Sequence, residues 1–331
     1  MIRKMEGNQF VIEAAEVESM AKESGLSVLQ LLPSLVKSAQ KLARPPISKY
    51  HVGAIGLGSD GRIFLGGNVE FPGLPLHHSI HAEQFLVTNA VIHGETQLKY
   101  IAVSSAPCGH CRQFLQEIRG ASEMKILVTS TENGGGDHQN DEDEAFSFLP
   151  LSTFLPHRFG PDDLLESDVP LLLEPRHNAL AFIDGVNHHV ENNVINGDVN
   201  CNSDVADHEK KLKCAALEAA NKSHAPYSVC PSGVALMDVE GRIYKGSYME
   251  SAAYNPSLGP VQAALVSYLA ASGGGGYDRI VAGVLVEKEG AVVVQDGTAR
   301  LLLLSVSPRC DFRVFHCRAS SSSYNCERLS T

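Results

Sequence analysis

The two halves of this sequence repeat each other at a constant offset of 180 residues. The coinciding positions are glycines, a Gly-Arg-Ile-aromatic run and a glutamate: Gly53 and Gly233, residues 61–64 and 241–244, Gly66 and Gly246, and Glu70 and Glu250. Self-similarity at a fixed period is typical of a duplicated folding unit. The sequence therefore predicts two copies of one fold rather than two unrelated domains.

The two copies differ most at the residues that could carry chemistry. Beyond Glu70 the register slips by one residue, and His81 and Glu83 of the first copy face Pro260 and Gln262 of the second. An apolar segment with helical spacing follows in both copies. Because the second copy has lost this polar triplet, we expect any catalytic activity to reside in the first copy.

The length of the chain also favours more than one core. It has 331 residues, of which 44% are hydrophobic, an ordinary value for a globular protein. Chains longer than about 250 to 300 residues usually divide into domains, because single cores stop growing at that size. We expect a helical segment over 1–45, a first copy over 46–176 and a second copy over 177–331.

Hydrophobic periodicity predicts strands that alternate with helices. Residues 8–43 have helical spacing that ends before Pro45, and Gly25 and Pro33 are expected to divide this stretch. The other expected elements are a hairpin over 51–67, strands over 99–105 and 124–130, helices from near His81 and Pro107, and a strand, loop and helix over 292–304. This alternation is typical of an α/β layered fold. The polar segments 131–144 and 187–204 are expected to be loops, and 320–331 a disordered tail.

Charge and hydropathy argue against two classes of partner. The chain has 27 Lys and Arg against 38 Asp and Glu, and a net charge of −11 repels the phosphate backbone of nucleic acids. No apolar stretch reaches the roughly 18 to 20 residues that span a bilayer. The N-terminal residues lack the apolar region of a secretory signal, so we expect a cytoplasmic protein.

Two closely spaced cysteines indicate a metal site. The eight cysteines are too sparse for a disulfide scaffold, but Cys108 and Cys111 lie one helical turn apart. With His81 they form a His-Cys-Cys set that suits Zn²⁺ and leaves a fourth tetrahedral position open for water. The sequence has no second C-x-x-C pair to close a structural site. Cys111 also shares a helical face with Phe114 and Leu115, so burial in the core is an alternative for that residue.

Glu83 lies two residues after His81, a spacing that sends two mid-helix side chains to different faces. Both can face one metal only if His81 stands at the very start of the helix. Glu83 would then carry protons, or alternatively it is a first-turn carboxylate that stabilises the helix dipole. His110 is an alternative ligand to His81. Arg112 either donates to a ligand thiolate or is solvated.

Asn68 and Glu70 follow the predicted hairpin, and strand alternation sends both side chains to one face. An amide beside a carboxylate suits the vicinal hydroxyl groups of a ribose. A solvated loop is the alternative. The retention of Glu250 in the second copy, where Tyr248 replaces Asn68, indicates that the glutamate partly serves structure.

The order H-x-E followed by P-C-x-x-C is the pattern of zinc-dependent nucleobase deaminases. Over most of its length the chain resembles the cytidine deaminase family, and specifically the dimeric type in which an active core precedes a broken one. The segments that carry the resemblance are KYHVGAIGLGSDGRIFLGGNVEF, HAEQ, PCGHCRQFLQEI, LPHRFGPDDLLE, HAPYSVCPSGVAL and GSYMESAAYNPSLGP. The resemblance implies a duplicated three-layer α-β-α sandwich.

The resemblance also implies one zinc ion per subunit, a catalytic acid and base, and a nucleoside pocket. The residues that it assigns are His81, Cys108 and Cys111 as zinc ligands, Glu83 as the acid and base, Asn68 and Glu70 at the ribose, and Tyr50 and Phe159 at the pyrimidine. It further implies a homodimer with the active site near the subunit interface.

From these features we expect hydrolysis of cytidine and 2′-deoxycytidine to the uracil nucleosides and ammonia, in pyrimidine salvage. One alternative is a polynucleotide cytidine deaminase, which the net charge of −11 and the lack of basic residues interleaved with aromatic ones oppose. Another is a non-catalytic, zinc-stabilised scaffold, since one copy has degenerated. The intact first copy argues against that alternative.

Overall fold

The computed structural model describes residues 9–130, 147–183, 203–271 and 275–320. The polar segment 131–144, most of 187–204 and the tail beyond residue 320 lie outside the described residues. The chain divides into two compact units. The first comprises Met1–Pro175, Met249–Leu258 and Leu265–Gly276, and the second comprises Arg176–Tyr248, Gly259–Ala264 and Tyr277–Thr331.

A six-stranded mixed sheet forms the centre of the first unit. Its strands are β1 (Val11–Ile12), β2 (Gly53–Gly58), β3 (Ile63–Gly67), β4 (Leu98–Val103), β5 (Lys125–Val128) and β6 (Leu149–Pro150). They lie in the order β1-β3-β2-β4-β5-β6. Neighbouring strands are antiparallel except β4 and β5, which run parallel.

Helices cover both faces of this sheet. They are α1 (Ala14–Ser24), α2 (Val28–Leu42), α3 (Ala82–Ile92), α4 (Gly109–Phe114) and the single turn α5 (Leu151–Phe154). On one face, Leu32 and Leu35 of α2 pack in one core with Ile55 and Leu65 of the sheet. On the other face, Gly66 lies so close to α3 that a Cβ there would stand 2.3 Å from the carbonyl oxygen of Ala82. The first unit is therefore a three-layer α-β-α sandwich.

The second unit is built on a five-stranded sheet. Its elements are β7 (Leu180–Phe182), α6 (Ser203–Asn221), β8 (Ser232–Asp238), β9 (Ile243–Ser247), β10 (Ile280–Lys288), α8 (Asp296–Val306), β11 (Asp311–Ala319) and the first turn of α7 (Pro260–Ala271). The strand order is β7-β11-β10-β8-β9, with β10 and β11 parallel and the other pairs antiparallel.

The glycines of the repeat make the same close contacts in both copies. A Cβ at Gly53 would lie 2.4 Å from the backbone nitrogen of Gln40 in α2, and one at Gly233 would lie 2.2 Å from that of Ala220 in α6. Any larger residue at these positions would force the helix off the sheet. The turn before each hairpin also has one residue with positive φ, Lys49 at 60° and Val229 at 55°. The predicted duplication of an α-β-α fold is confirmed.

The N-terminal helical prediction is correct in outline and wrong at Pro33. Gly25, with φ of 70°, ends α1 as expected. Pro33, however, lies inside α2, which continues through it to Leu42. A proline near the start of a helix removes one backbone hydrogen bond. Burial of the apolar face of α2, which includes Leu31 and Leu35, outweighs that loss.

The predicted strand at the start of 292–304 is also wrong. The corresponding strand of the second copy is β10, and residues 292–294 form a bend that leads into α8. Val292 is 88% exposed and Val294 is 58% exposed. The β preference of valine expresses packing on a half-buried sheet, and these two side chains are instead largely exposed.

The longest helix of the described chain is α6, with 19 residues, and its sequence includes Glu209, Lys210 and Lys211. Charged residues of this kind keep a helix at the water interface. None of the helices in the described ranges has both the length and the apolar character required to cross a bilayer.

Candidate active site

The start of α3 places His81 and Glu83 at one site. His81 is the N-cap residue, with extended backbone angles of φ −77° and ψ 155°, and the helix begins at Ala82. The Gln84 side chain stabilises this start, because its Oε1 accepts a hydrogen bond from the His81 backbone nitrogen at 3.2 Å. The condition set by the two-residue spacing, that His81 precede the helix, is therefore met.

The two cysteines lie at the start of α4. Cys108 is the N-cap residue in an extended conformation, and Cys111 lies in the first turn and is completely buried. Arg112 holds this turn: its Nε donates to the carbonyl of Pro107 at 2.6 Å, and one terminal nitrogen donates to the carbonyl of Phe154 at 3.0 Å. Arg112 thus bonds backbone carbonyls, and neither alternative from the sequence describes it.

The three predicted ligand atoms form a small triangle. His81 Nδ1 lies 3.5 Å from Cys108 Sγ and 3.3 Å from Cys111 Sγ, and the two sulfurs lie 3.7 Å apart. A tetrahedral zinc ion with ordinary bond lengths would need separations of about 3.6 Å between nitrogen and sulfur and about 3.8 Å between sulfurs. The donor set and its dimensions therefore fit Zn²⁺.

No second group competes with this triangle in the part of the chain that the structure describes. There, His81, Cys108 and Cys111 are the group of metal-binding side chains whose ligand atoms converge within 4.8 Å. His110, the alternative ligand, instead stacks its ring on that of His81, with 4.9 Å between ring centroids and 22° between planes. Cys111 is both a core residue and a member of the triangle, so its two interpretations are compatible.

The environment of the two thiols lowers the pKa of one and raises that of the other. A hydrogen bond from Cys111, reinforced by one from His81, lowers the pKa of Cys108 to about 3. The bond to Cys108 and burial raise the pKa of Cys111 well above its usual value. The pair thus holds one thiolate at neutral pH. A divalent cation favours loss of the second proton, because thiolates are the ligands it binds.

Glu83 is a buried carboxyl group beside the sulfurs. It is 4% exposed and interacts with the thiol of Cys111. Burial raises the pKa of Glu83 above its usual value, against the lowering effect of its hydrogen bonds and of His81. A carboxyl group whose pKa is moved toward neutrality can both accept and donate a proton.

Asn68 and Glu70 fix the turn that precedes β2. Asn68 Oδ1 accepts from the backbone nitrogen of Val52 at 2.8 Å, and its Nδ2 donates to the carbonyl of Tyr50 at 3.0 Å. Glu70 Oε2 accepts from the backbone nitrogen of Ser48 at 2.9 Å, and its Oε1 accepts from the Ser48 hydroxyl at 2.5 Å. Both side chains therefore bond the same turn, as expected of residues on one face of a strand. Glu70 stabilises this turn, which is the structural role that its retention in the second copy indicated.

The charge of Glu70 is retained at neutral pH. Burial alone would raise the pKa of this carboxyl group, but hydrogen bonds from Ser48 and from the Ile47 backbone outweigh it and lower the pKa. The residue between Asn68 and Glu70 forms a bridge to the residue before His81: the backbone nitrogens of Val69 and Ile80 each donate to the other's carbonyl. This bridge places the strand end directly beside the start of α3.

The two predicted aromatic residues are exposed side chains in the same unit. Tyr50 is 60% exposed, and its hydroxyl lies 2.8 Å from the Ser105 hydroxyl, on the segment that leads from β4 to Cys108. Phe159 is 45% exposed, and its carbonyl accepts a hydrogen bond from the side chain of Gln113 in α4. Tyr50 therefore contacts the segment before Cys108 through its side-chain hydroxyl, whereas Phe159 contacts α4 through its backbone carbonyl.

Sequence reasoning missed two buried polar residues, Gln84 and Glu117. Gln84 is 1% exposed and Glu117 is 0% exposed. Gln84 Nε2 donates to the carbonyl of Pro256 at 2.9 Å, and Glu117 Oε1 accepts from the backbone nitrogen of Ala252 at 2.7 Å. Their positions inside HAEQ and FLQEI were a usable signal, because a polar residue within an apolar helical run is buried only with a partner.

The second copy shows what replaces this chemistry. Gln262, which faces Glu83 in the repeat, turns its Oε1 back to accept from the backbone nitrogen of Gly259 at 3.0 Å. This amide caps its own helix and carries no titratable proton. The segment before α8, which corresponds to the P-C-x-x-C segment, contains no cysteine. The expectation that the first copy alone holds the chemical groups agrees with this arrangement.

Comparison with known proteins gives a consistent result. The zinc-binding region of cytidine and deoxycytidylate deaminases matches residues 27–128 and, in a second form, residues 151–300. The first match contains His81, Glu83 and both cysteines of the triangle.

Relatives match nearly the whole chain. Cytidine deaminase 1 of Arabidopsis thaliana is 61% identical over 314 residues, which cover 95% of this chain and 99% of that protein. Cytidine deaminase 7 of the same plant is 48% identical over 318 residues, covering 93% and 94%. A crystal structure of cytidine deaminase from Mycobacterium tuberculosis covers 40% of this chain and 96% of its own, at 28% identity and a TM-score of 0.32. On the family match and these plant relatives, the chain belongs to the zinc-binding cytidine and deoxycytidylate deaminase family.

Proposed function

We propose that this protein hydrolyses cytidine and 2′-deoxycytidine to uridine and 2′-deoxyuridine with release of ammonia. The observation that carries the proposal is the His81, Cys108 and Cys111 triangle, with dimensions that fit zinc, together with the buried carboxyl group of Glu83 beside it. The family supplies the reaction type. The geometry supports His81, Cys108, Cys111 and Glu83 as the residues that perform it.

His81 would hold zinc through a ring nitrogen, and Cys108 and Cys111 through their sulfurs. Zinc bound there would bring the pKa of water toward about 7. Glu83 accepts a proton from the attacking water and delivers it to the ring nitrogen of the pyrimidine. It then transfers the second proton of that water to the departing amine, so that ammonia leaves and the carbonyl of uracil forms. Burial of Glu83 supports this role, because a pKa raised toward neutrality suits a carboxyl group that must accept a proton and then release it.

Asn68 and Glu70 are proposed to hold the ribose, and Tyr50 and Phe159 to contact the pyrimidine. What supports the first pair is their placement on one strand end beside the start of α3. Tyr50 is held on the turn that both residues fix, and its ring is exposed, as stacking on a base requires. Phe159 has the weaker structural support, since its backbone alone is tied to α4.

We further propose a cytosolic homodimer that acts in pyrimidine salvage on free nucleosides. The net charge of −11 supports a small substrate over a polynucleotide, because phosphate chains require a basic surface. Exposed apolar side chains of the first unit, including Tyr50 at 60% and Leu76 at 70%, support burial of part of its surface against a second subunit. Sedimentation of the purified protein tests the dimer directly.

Parallel assays with three substrates test the proposal. The zinc-loaded protein is mixed with cytidine, with 2′-deoxycytidine and with a single-stranded oligonucleotide that contains cytosine, and the ultraviolet change of deamination is recorded. We expect both nucleosides to react and the oligonucleotide to remain unchanged. Reaction of the oligonucleotide alone would establish the polynucleotide alternative. Absence of reaction with all three, at full zinc content, would overturn the proposal and leave either a non-catalytic protein or one that acts on another amine-bearing base.

A further inference from the structure

We propose that the segment Met249–Leu258, here called the strap, fixes the separation of the two elements that carry the zinc ligands. Gln84 and Glu117 are the positioning residues through which it does so. The strap belongs to the second repeat in sequence and to the first compact unit in structure. This inference rests on the zinc ligands of the proposed function, but not on the identity of the substrate.

The strap is a closed loop whose two ends meet. The backbone nitrogens of Met249 and Leu258 each donate to the other's carbonyl, at 3.0 and 2.8 Å. Inside the loop, the backbone nitrogen of Ser251 donates to the Ser257 hydroxyl at 3.0 Å, and Tyr254 adopts a positive φ of 62°. A loop of this length with joined ends and internal bonds can act as one rigid body.

The first attachment of the strap is to the start of α3. Gln84 is buried, and its amide bonds in two directions: Oε1 accepts from the backbone nitrogen of His81, and Nε2 donates to the carbonyl of Pro256. One side chain therefore links the backbone of a zinc ligand to the strap. A buried amide with both ends bonded has a single orientation, because either end left unpaired would be costly.

The second attachment is to the element that carries the cysteines. The 3-10 turn Leu115–Glu117 directly continues α4, and Glu117 Oε1 accepts from the backbone nitrogen of Ala252 at 2.7 Å. Glu117 and Ala252 are both buried, so this bond is made away from water, where it is strong. The strap is thus bonded to both ligand-bearing elements within the same unit.

The three ligand atoms need a connection that fixes their separation, because the ligands come from separate parts of the chain. His81 and Cys111 lie 30 residues apart, and their ligand atoms must stay within a few tenths of an ångström of tetrahedral positions. The strap adds a path between α3 and α4 that does not pass through the metal. This gives the second repeat a use in the active unit, although it has lost the polar triplet of the first.

Asn89 provides a matched control on the same helix. It is completely buried, and its Nδ2 donates to the carbonyls of Phe10 and Leu65 at 2.8 and 3.1 Å. Asn89→Leu therefore removes a buried amide from α3, as Gln84→Met does, but removes no contact with the strap. A merely structural role of buried amides predicts equal effects of the two variants on zinc affinity.

The test measures zinc affinity of the full-length chain by competition with a chelator. We expect Gln84→Met and Glu117→Ala each to weaken zinc binding by about tenfold, a typical effect of residues that orient metal ligands. The double variant should be little weaker than either single variant, because both act through one strap. Glu117→Gln, which keeps an oxygen for Ala252, should restore affinity, and Asn89→Leu should lower thermal stability alone.

Several results would overturn the proposal that the strap fixes the separation of α3 and α4. They are wild-type zinc affinity in both single variants, an equal loss in Asn89→Leu, or a roughly hundredfold additive loss in the double variant. The wild-type protein provides a test that needs no variant: zinc should slow hydrogen exchange of the Ala252 and Leu258 amides, since coupling between two sites is reciprocal. If zinc binding left the hydrogen-exchange rates of these two amides unchanged, the proposal about the strap would also be overturned. Stoichiometric zinc without deamination of cytidine would instead overturn the proposed function.

Discussion

His81 Nδ1 and Cys111 Sγ lie 3.3 Å apart, although 30 positions separate the two residues in the chain. The contact forms because each residue lies in the first turn or at the cap of a helix, and these two helices, α3 and α4, contact each other. Cys108 completes the set at the N-cap of α4. A zinc ion held by these three side chains would have a fourth tetrahedral position available to water, as catalytic zinc sites do and structural ones do not.

Loss of one thiolate should release the metal. We expect Cys108→Ala to purify with little zinc, because a single thiolate and one imidazole leave the ion undersupplied with ligands and charge. Metal analysis of the purified protein measures this. Cys230→Ala is the matched control, since Cys230 is a buried cysteine of the second unit and lies outside the triangle. Full zinc in Cys108→Ala would remove that residue from the ligand set.

Loss of the buried carboxyl group should stop turnover without loss of metal. Glu83→Gln keeps the shape of the side chain and removes its ability to carry protons, so we expect zinc content to be unchanged and kcat to fall at least 100-fold. Glu95→Gln is the control: Glu95 is equally buried in the same unit, where its Oε1 accepts from Ser59 and from the backbone of Thr96. Normal kcat in Glu83→Gln would contradict the proton-carrying role.

The nucleoside contacts should affect KM more than kcat. We expect Asn68→Ala to raise KM for cytidine about tenfold, which corresponds to about 1.4 kcal/mol, through lost ribose contacts and a loosened turn. Tyr50→Phe keeps the ring and loses the bond to Ser105, so it should behave almost as wild type, whereas Tyr50→Ala should raise KM. Steady-state kinetics separate these cases. Wild-type KM values in both Asn68→Ala and Tyr50→Ala would exclude this face as the substrate site.

The ionised form of Glu70 should contribute stability above acid pH. Its pKa is lowered in the folded protein from an unfolded value near 4.5, so the contribution is fully present above pH 4.5 and is lost as pH falls through the folded pKa. We therefore expect the difference in unfolding free energy between wild type and Glu70→Gln to be larger at pH 7 than at pH 3.5. Denaturant titrations at both pH values measure it, and a difference that grows toward acid would contradict the sign.

Much of the architecture and of the metal set was predictable because each has a local signal. The 180-residue repeat marks the duplication, and the same glycines approach helix backbone in both copies. The spacing of Cys108 and Cys111, with His81 before an apolar helix, predicts the three side chains that the structure brings together. Even the position of His81 at the helix start follows from the need for Glu83 to face the same metal.

The features that sequence reasoning missed depend on tertiary neighbours. Pro33 is tolerated inside α2 because the apolar face of the helix is buried on the sheet. Val292 is not in a strand, and its largely exposed side chain gains none of the packing that favours valine in a sheet. The partners of Gln84 and Glu117 are backbone groups more than a hundred residues away in the sequence. No periodicity or motif spacing encodes such a pairing.

The most direct measurement is a zinc titration of the chelator-treated protein, with cytidine present and uridine and ammonia measured as products. We expect no turnover without zinc, a linear rise as zinc is added and a plateau at one zinc per chain, with equal amounts of uridine and ammonia. A protein that binds one zinc per chain and forms no uridine would contradict the proposed reaction. Turnover that does not change with zinc would contradict the metal site.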